Sequence, residues 1–171
     1  MMTVFSKFAA IAAVALVMIT GTANAQGASV AFGGLKHDAS LPVEITADEL
    51  SVDQATGRAV FTGNVVAGQG EMRLSASRVQ VQYATQNGQP TGDIDQLIAT
   101  GSVTLVNGAE AAESEKAVYS VSGAEIVMTG NVILTQGVNA LSGEKLTVDL
   151  KSGSGRMSGR VRTIFRTGGS E

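Results

Sequence analysis

A five-residue pattern recurs four times along the chain: Phe61-Thr62-Gly63-Asn64-Val65, Ala99-Thr100-Gly101-Ser102-Val103, Met128-Thr129-Gly130-Asn131-Val132 and Met157-Ser158-Gly159-Arg160-Val161. Its glycines are spaced by 38, 29 and 29 residues. A second pattern keeps step with it, starting at Ile45, Leu74, Ala112 and Leu141, at spacings of 29, 38 and 29. In three of the units the glycine follows that start by 18 residues, and in the other by 27. One 9-residue insertion around Gln86-Asn87-Gly88-Gln89-Pro90 therefore accounts for the whole irregularity. A period of this size marks a supersecondary unit that cannot bury its apolar face alone and becomes stable when stacked on its neighbours.

Within each unit apolar and polar residues alternate, the period of a half-buried strand. Val43 and Ile45 alternate with Glu44 and Thr46, and Leu50 and Val52 continue the run. Phe61 and Val65 follow, then Leu74 and, after a change of phase, Val79 and Val81. Leu97, Val103 and Leu105 come next, then Tyr119, then Ile126, Met128, Val132 and Leu134. Leu146, Val148, Met157 and Val161 complete the set. Because one extra residue flips every later side chain to the other face, the recurring change of phase predicts a bulge or corner at the same place in each unit. Residues 109–116 have the best helix propensity in the chain, but they stand in register with three strand copies and are read as strand. Equivalent positions then form columns up the stack: Phe61, Ala99, Met128 and Met157 in one, Leu50, Val79, Ala117 and Leu146 in another, Val52, Val81, Tyr119 and Val148 in a third. The glycine column lets the sheet bend or two backbones approach. Asn87-Gly88 and the stretch from Pro90 to Gly92 read as an inserted loop.

The first 25 residues read as a cleaved export signal. Lys7 supplies the positive end, residues 8–19 are an apolar run, and Ala23-Asn24-Ala25 is a small-residue cleavage site. An uncleaved anchor would need about 20 apolar residues, more than this run provides. Residues 26–40 carry little periodicity and read as a flexible leader, 41–166 as the folded domain, and 167–171 as a tail. After cleavage 11 basic and 15 acidic residues remain, a net charge of -4. That balance excludes a nucleic-acid binder, which needs a basic surface to displace phosphate counterions. Cysteine is absent, so no disulfide framework or thiol chemistry is available. His37, the one histidine, lies in the leader without a partner in view, so a Ser-His-Asp set is excluded. No phosphate-binding G-x-x-x-x-G-K-[ST] loop is present. The chain calls for no cofactor and no metal.

The stretches Pro42-Val43-Glu44-Ile45-Thr46-Ala47-Asp48, Val60-Phe61-Thr62-Gly63-Asn64-Val65, Gly70-Glu71-Met72-Arg73-Leu74-Ser75-Ala76 and Met128-Thr129-Gly130-Asn131-Val132 resemble the OstA-like family of periplasmic lipopolysaccharide-transport proteins, to which LptA belongs. The resemblance runs over residues 41–165. It implies an all-β fold, a stacked-repeat antiparallel β-jellyroll shaped like a slightly open V. It implies a periplasmic carrier that holds the acyl chains of lipopolysaccharide (its lipid A part) in an apolar groove. It also implies edge-to-edge stacking in a bridge, with head-to-tail self-association, an LptC-like inner-membrane partner and an LptD-like outer-membrane partner. The 21 apolar residues named above, from Val43 to Val161, are the expected lining of that groove.

Two other readings remain open from the residues alone. One is a secreted β-rich scaffold with a dry core, since a packed interior interleaves large and small side chains just as these columns do. The other is a carbohydrate-active β-helix, which needs paired carboxylates at catalytic separation. Asp48, Glu115 and Glu144 share one motif position, but the remaining copy is Ser77, and Lys116 and Lys145 stand beside two of them, as in a solvated charge ladder. The two ends of the domain differ in charge. Glu44, Asp48, Glu49 and Asp53 lie near the first strand, and Lys151, Arg156, Arg160, Arg162 and Arg166 near the last, 161–165. Such edges either join head to tail or are simply kept soluble by their charges.

Overall fold

In a computed structural model that describes residues 28–31 and 37–164, each alternating stretch is a strand: β1 (Ala28–Ala31), β2 (Glu44–Thr46), β3 (Glu49–Asp53), β4 (Arg58–Gln69), β5 (Met72–Gln86), β6 (Gln89–Asn107), β7 (Glu110–Ser120), β8 (Glu125–Gln136), β9 (Asn139–Asp149), β10 (Ser154–Ser158) and β11 (Arg162–Ile164). The signal at 1–25, the tail at 167–171, and Phe165 and Arg166 lie outside the described residues. All pairings are antiparallel, in the order β1-β10-β9-β8-β7-β6-β5-β4-β2, with β3 also on β4 and β11 also on β9. Residues 110–116 enter β7, as their register with the other units requires, and Ala109 stays in the turn before it.

Each long strand belongs to two walls. The pairing register shifts between Thr62 and Val65, Ser75 and Arg78, Thr100 and Val103, Glu113 and Lys116, and Thr129 and Val132. These shifts line up across the sheet and fold it in two. The first wall holds β3, residues 58–62 of β4, the matching halves of β5 to β9, β10 and β1. The second holds β2, residues 65–69 of β4, the other halves of β5 to β9, and β11.

The corner explains the recurring glycine. Gly63, Gly101, Gly130 and Gly159 have φ of 78°, 82°, 84° and 78°, and the next residue, Asn64, Ser102, Asn131 or Arg160, is also left-handed at 44° to 49°. Only glycine takes the first position without steric cost. Space forbids a side chain as well: a Cβ on Gly63 would collide with Asp48 Oδ2, and one on Gly130 would lie 2.7 Å from Glu115 Oε2. The residue opposite each glycine ties the corner. Asn64 Nδ2 donates to Asp48 Oδ2 (2.8 Å), Ser77 Oγ to the Gly101 carbonyl (3.1 Å) and Asn131 Nδ2 to Glu115 Oε1 (2.5 Å), while Arg160 faces Glu144 at 3.8 Å.

The columns interleave into rows on the inner faces. In the first wall Leu50, Phe61, Val79, Ala99, Ala117, Met128, Leu146 and Met157 are successive register partners. Beside them run Val52, Ala59, Val81, Leu97, Tyr119, Ile126 and Val148. From Val79 and Ala59 onward these positions are buried. Burying each aliphatic side chain of this size contributes about 1.5–3 kcal/mol, so the rows carry the stability of the fold.

Two expectations are corrected. The insertion is not an open loop but a lengthened hairpin: β5 and β6 pair out to Thr85–Pro90 and Gln86–Gln89, and Asn87 and Gly88 turn the chain with φ of 53° and 79°. Two left-handed residues match the twist of the flanking strands, which is why Asn-Gly makes a hairpin here. The leader, expected to be flexible, contributes β1, whose four residues pair with β10 because that strand would otherwise leave its outer backbone groups without a ladder partner.

Candidate functional site: the space between the two walls

The inner faces approach each other closely. Leu105 and Leu134 of the second wall and Leu146 and Val148 of the first line one gap too small for a water. Near the β2 end, Val43, Leu74, Leu97, Leu105, Tyr119 and Ile126 border an apolar cavity of about 10 Å³. That is about the least volume that holds one water. In this state the interior is filled by its own side chains.

Of the expected lining, Val65, Leu74, Val79, Val81, Leu97, Val103, Leu105, Tyr119, Ile126, Met128, Val132, Leu134, Leu146, Val148 and Met157 are buried in one cluster. Val43, Ile45 and Phe61 are partly buried against it. The remaining three lie outside the sealed interior. Leu50 and Val52 are 53% and 58% exposed although their register partners, Phe61 and Ala59, face inward. They are on the inner face of β3, the last strand of the first wall, and among the described residues no further strand shelters them. Val161 is exposed because it falls in the corner between β10 and β11, outside any strand.

Sequence reading passed over a polar feature at the mouth. Gln69 sits in an apolar phase position of β4, yet it is 2% exposed. Its Oε1 accepts from Tyr119 Oη of the facing wall at 2.8 Å. Its Nε2 donates to the carbonyls of Ala39 (3.0 Å) and Leu41 (2.7 Å) in the leader. All the strong hydrogen-bonding groups of a buried amide are thus engaged. Burial pushes the Tyr119 hydroxyl pKa up from its ordinary value. The other units place Asn107 and Gln136 at the equivalent point before a turn glycine, and Gln136 Nε2 donates to Glu110 Oε1 at 2.8 Å. A polar residue before Gly70, Gly108 and Gly137 was the available signal.

The ends of the stack differ. At one, β2 and β3 each have one neighbour, β4, and carry the exposed acids Glu44, Glu49 and Asp53, with Asp48 at the corner between them. At the other, β11 lies on β9 and β1 on β10, with Lys151, Arg156, Arg160 and Arg162 exposed nearby. The carboxylates of the proposed enzymatic ladder are spread along the corner, where Asp48 and Glu115 accept from Asn64 and Asn131.

Comparison with known proteins agrees with this architecture. Residues 44–154 match the family described as LptA/(LptD N-terminal domain) LPS transport protein. An uncharacterized protein of Rhizobium meliloti (strain 1021) is 31% identical over 121 residues, which are 69% of this chain and 65% of the relative's length. Among solved structures, the crystal structure of LptH, the LptA homologous periplasmic component of the lipopolysaccharide transport device from Pseudomonas aeruginosa, superposes with a TM-score of 0.67. That match covers 75% of this chain and 98% of LptH at 18% identity, a likeness of fold.

Proposed function

Since the chain belongs to the LptA/LptD N-terminal-domain family of lipopolysaccharide-transport proteins, we propose that it is a periplasmic carrier that shelters lipid A acyl chains between its two walls and joins partners edge to edge. The observation that carries this reading is that the inner apolar rows do not stop at the sealed core. They run on to Leu50 and Val52 at an open edge, where a packed scaffold would be expected to end in polar residues. A neighbouring domain set against that edge would continue the same apolar surface.

Exposing a CH₂ to water costs about 0.8 kcal/mol, so a 14-carbon chain costs on the order of 10 kcal/mol in the aqueous periplasm. An unbroken aliphatic wall removes that cost at each step. Because the hydrophobic effect has no direction, it also lets the chain slide without breaking specific bonds. Sugars and phosphates stay in solvent at the mouth, and the energy for movement comes from a partner. The walls part to admit lipid, and the buried set from Val65 to Met157, with Val43, Ile45 and Phe61 nearest the open edge, becomes the lining.

The free edges suit strand addition. The acidic β2–β3 end of one copy faces the basic β10–β11 end of the next. Such a head-to-tail contact is heterologous and builds an open row rather than a closed dimer. An LptC-like inner-membrane protein and an LptD-like outer-membrane protein would terminate the row. Residues 1–25 direct export and are removed.

The small cavity favours one competing reading, a permanently dry scaffold. A photoreactive side chain at Phe61, with a control at Thr62, separates the two. With lipopolysaccharide present, adducts at Phe61 and none at Thr62 mean an interior that opens to lipid. Folded protein without adducts at either position is a scaffold, and its likeness to the family is then one of fold.

A further inference from the structure

Two strands close together in sequence stand at opposite ends of the stack: β1 pairs with β10, whereas β2, beginning at Glu44, pairs with β4. The described residues 37–41 lie across the mouth between the walls. The His37 N–H donates to the Leu150 carbonyl (3.1 Å), beyond the end of β9 on the first wall. Two and four residues on, the Ala39 and Leu41 carbonyls receive both bonds from Gln69 on the second wall. Ala39 packs on the core, and a Cβ on Gly70 would meet Leu41 and His37 at 2.9 and 3.5 Å, so the strap lies directly on that turn. Gln69 in turn holds Tyr119 of the first wall. The strap, the buried amide and the facing hydroxyl form one connected set of hydrogen bonds across the opening.

We propose that this leader is a built-in occupant of the docking edge and of the mouth, displaced when the β2–β3 edge of a second copy pairs with β10. The inference rests on the edge-to-edge reading above. β1 offers four residues to β10. The incoming edge offers β10 the five residues of β3, with Leu50 and Val52 to bury, sets the three of β2 against β11, and brings Glu44, Glu49 and Asp53 to Lys151, Arg156 and Arg162. The larger, charge-matched edge outcompetes the shorter internal strand. Displacing β1 also removes one anchor of the strap, and where the strap then leaves the mouth, losing the Ala39 and Leu41 carbonyls strips Gln69 of both acceptors in an apolar setting. Removing acceptors from a buried donor destabilises the state that contains it. Docking thereby loosens the closed interior, so an isolated copy stays sealed and a docked copy opens.

The processed chain, which has no cysteine, permits a reversible lock. Ser29 and Arg156 are register partners, and Arg156 is exposed on the outer face. In a Ser29→Cys/Arg156→Cys chain, oxidation fixes β1 on β10. Self-association by sedimentation and lipopolysaccharide capture at Phe61 are compared in the oxidised and reduced forms. The expected result is a drop of at least about tenfold in both on oxidation, restored by reductant to the level of the reduced Arg156→Cys single variant, which lacks the same charge. Equal association in both states, with the disulfide verified by mass, overturns the proposal by making β1 a permanent strand. Failure of the two thiols to pair overturns the placement of β1. Redox-dependent association without lipid capture in any form upholds the occupant and removes the lipid reading instead.

Discussion

Tyr119 donates its hydroxyl proton to Gln69 across the two walls, joining residues 50 apart in sequence that sit on strands with no shared ladder. Tyr119→Phe keeps the ring and leaves the Gln69 oxygen unpaired in an apolar surround. It should cost about 1–3 kcal/mol in urea unfolding. Gln69→Leu together with Tyr119→Phe should cost less than the sum of the single changes, because the second deletion removes the group that the first had orphaned. Full additivity would show that the two side chains do not act as a pair.

The corner glycines and the turn glycines separate two effects of a side chain. Gly137 has φ of 57° with nothing near its missing Cβ, so Gly137→Ala should cost about 1–2 kcal/mol for the left-handed backbone alone. Gly130 has φ of 84° and Glu115 carbons at 2.8 Å. Gly130→Ala should therefore cost clearly more than Gly137→Ala in the same denaturation assay. Equal losses would mean that Glu115 swings away freely.

The dependence of stability on pH should be a plateau with two limbs. Hydrogen bonds from Ser40, Thr56 and Ser152 hold the carboxyls of Asp38, Asp53 and Asp149 below their ordinary value of 3.8. Groups depressed on folding stabilise above the unfolded value, and that contribution is lost as pH falls through their lower folded values. Tyr119 is shifted the other way, so its contribution is complete below 10.0 and is lost as pH rises through its raised folded value. A Tyr83→Phe chain leaves Tyr119 as the one tyrosine, and its ultraviolet titration should fall above 10.0. A midpoint below that value would contradict the buried hydroxyl.

Leu50 and Val52 are more than half exposed, so aspartate at either position should leave the unfolding midpoint nearly unchanged. If the β2–β3 edge docks on a neighbour, Leu50→Asp and Val52→Asp should each weaken self-association in sedimentation runs, because burying an unpaired carboxylate is costly. Undiminished association would move the contact elsewhere.

The repeat, the strand periods and the corner were legible in the sequence because each depends on local chemistry. The apolar phase changes between Leu74 and Val79, between Ala112 and Ala117 and between Leu141 and Leu146, and the register breaks there, opposite the corner glycines. Reading 109–116 as strand against its helical propensity succeeded because four copies constrain one another. The interior state was not legible, since alternation names an inward face without saying how near the opposite wall lies. Leu50 and Val52 obey the same alternation as Val79 and Val81, and their exposure follows from strand order alone. Gln69 was missed because its partners, Tyr119 and the leader carbonyls, lie 50 and about 30 residues away. The strand at Ala28–Ala31 has too few residues to show a period, and the vacant edge of β10 decides it.

The folded-sheet corner also bears on how such a chain can change length over generations. Each 29-residue unit supplies two strands that cross both walls. One duplication would lengthen both walls together by two strand spacings, about 10 Å. The end strands, at 44–53 and 154–164, would be carried along unaltered. Span can therefore grow or shrink in fixed steps while the chemistry at the two ends is inherited intact, and selection can act on reach without disturbing recognition.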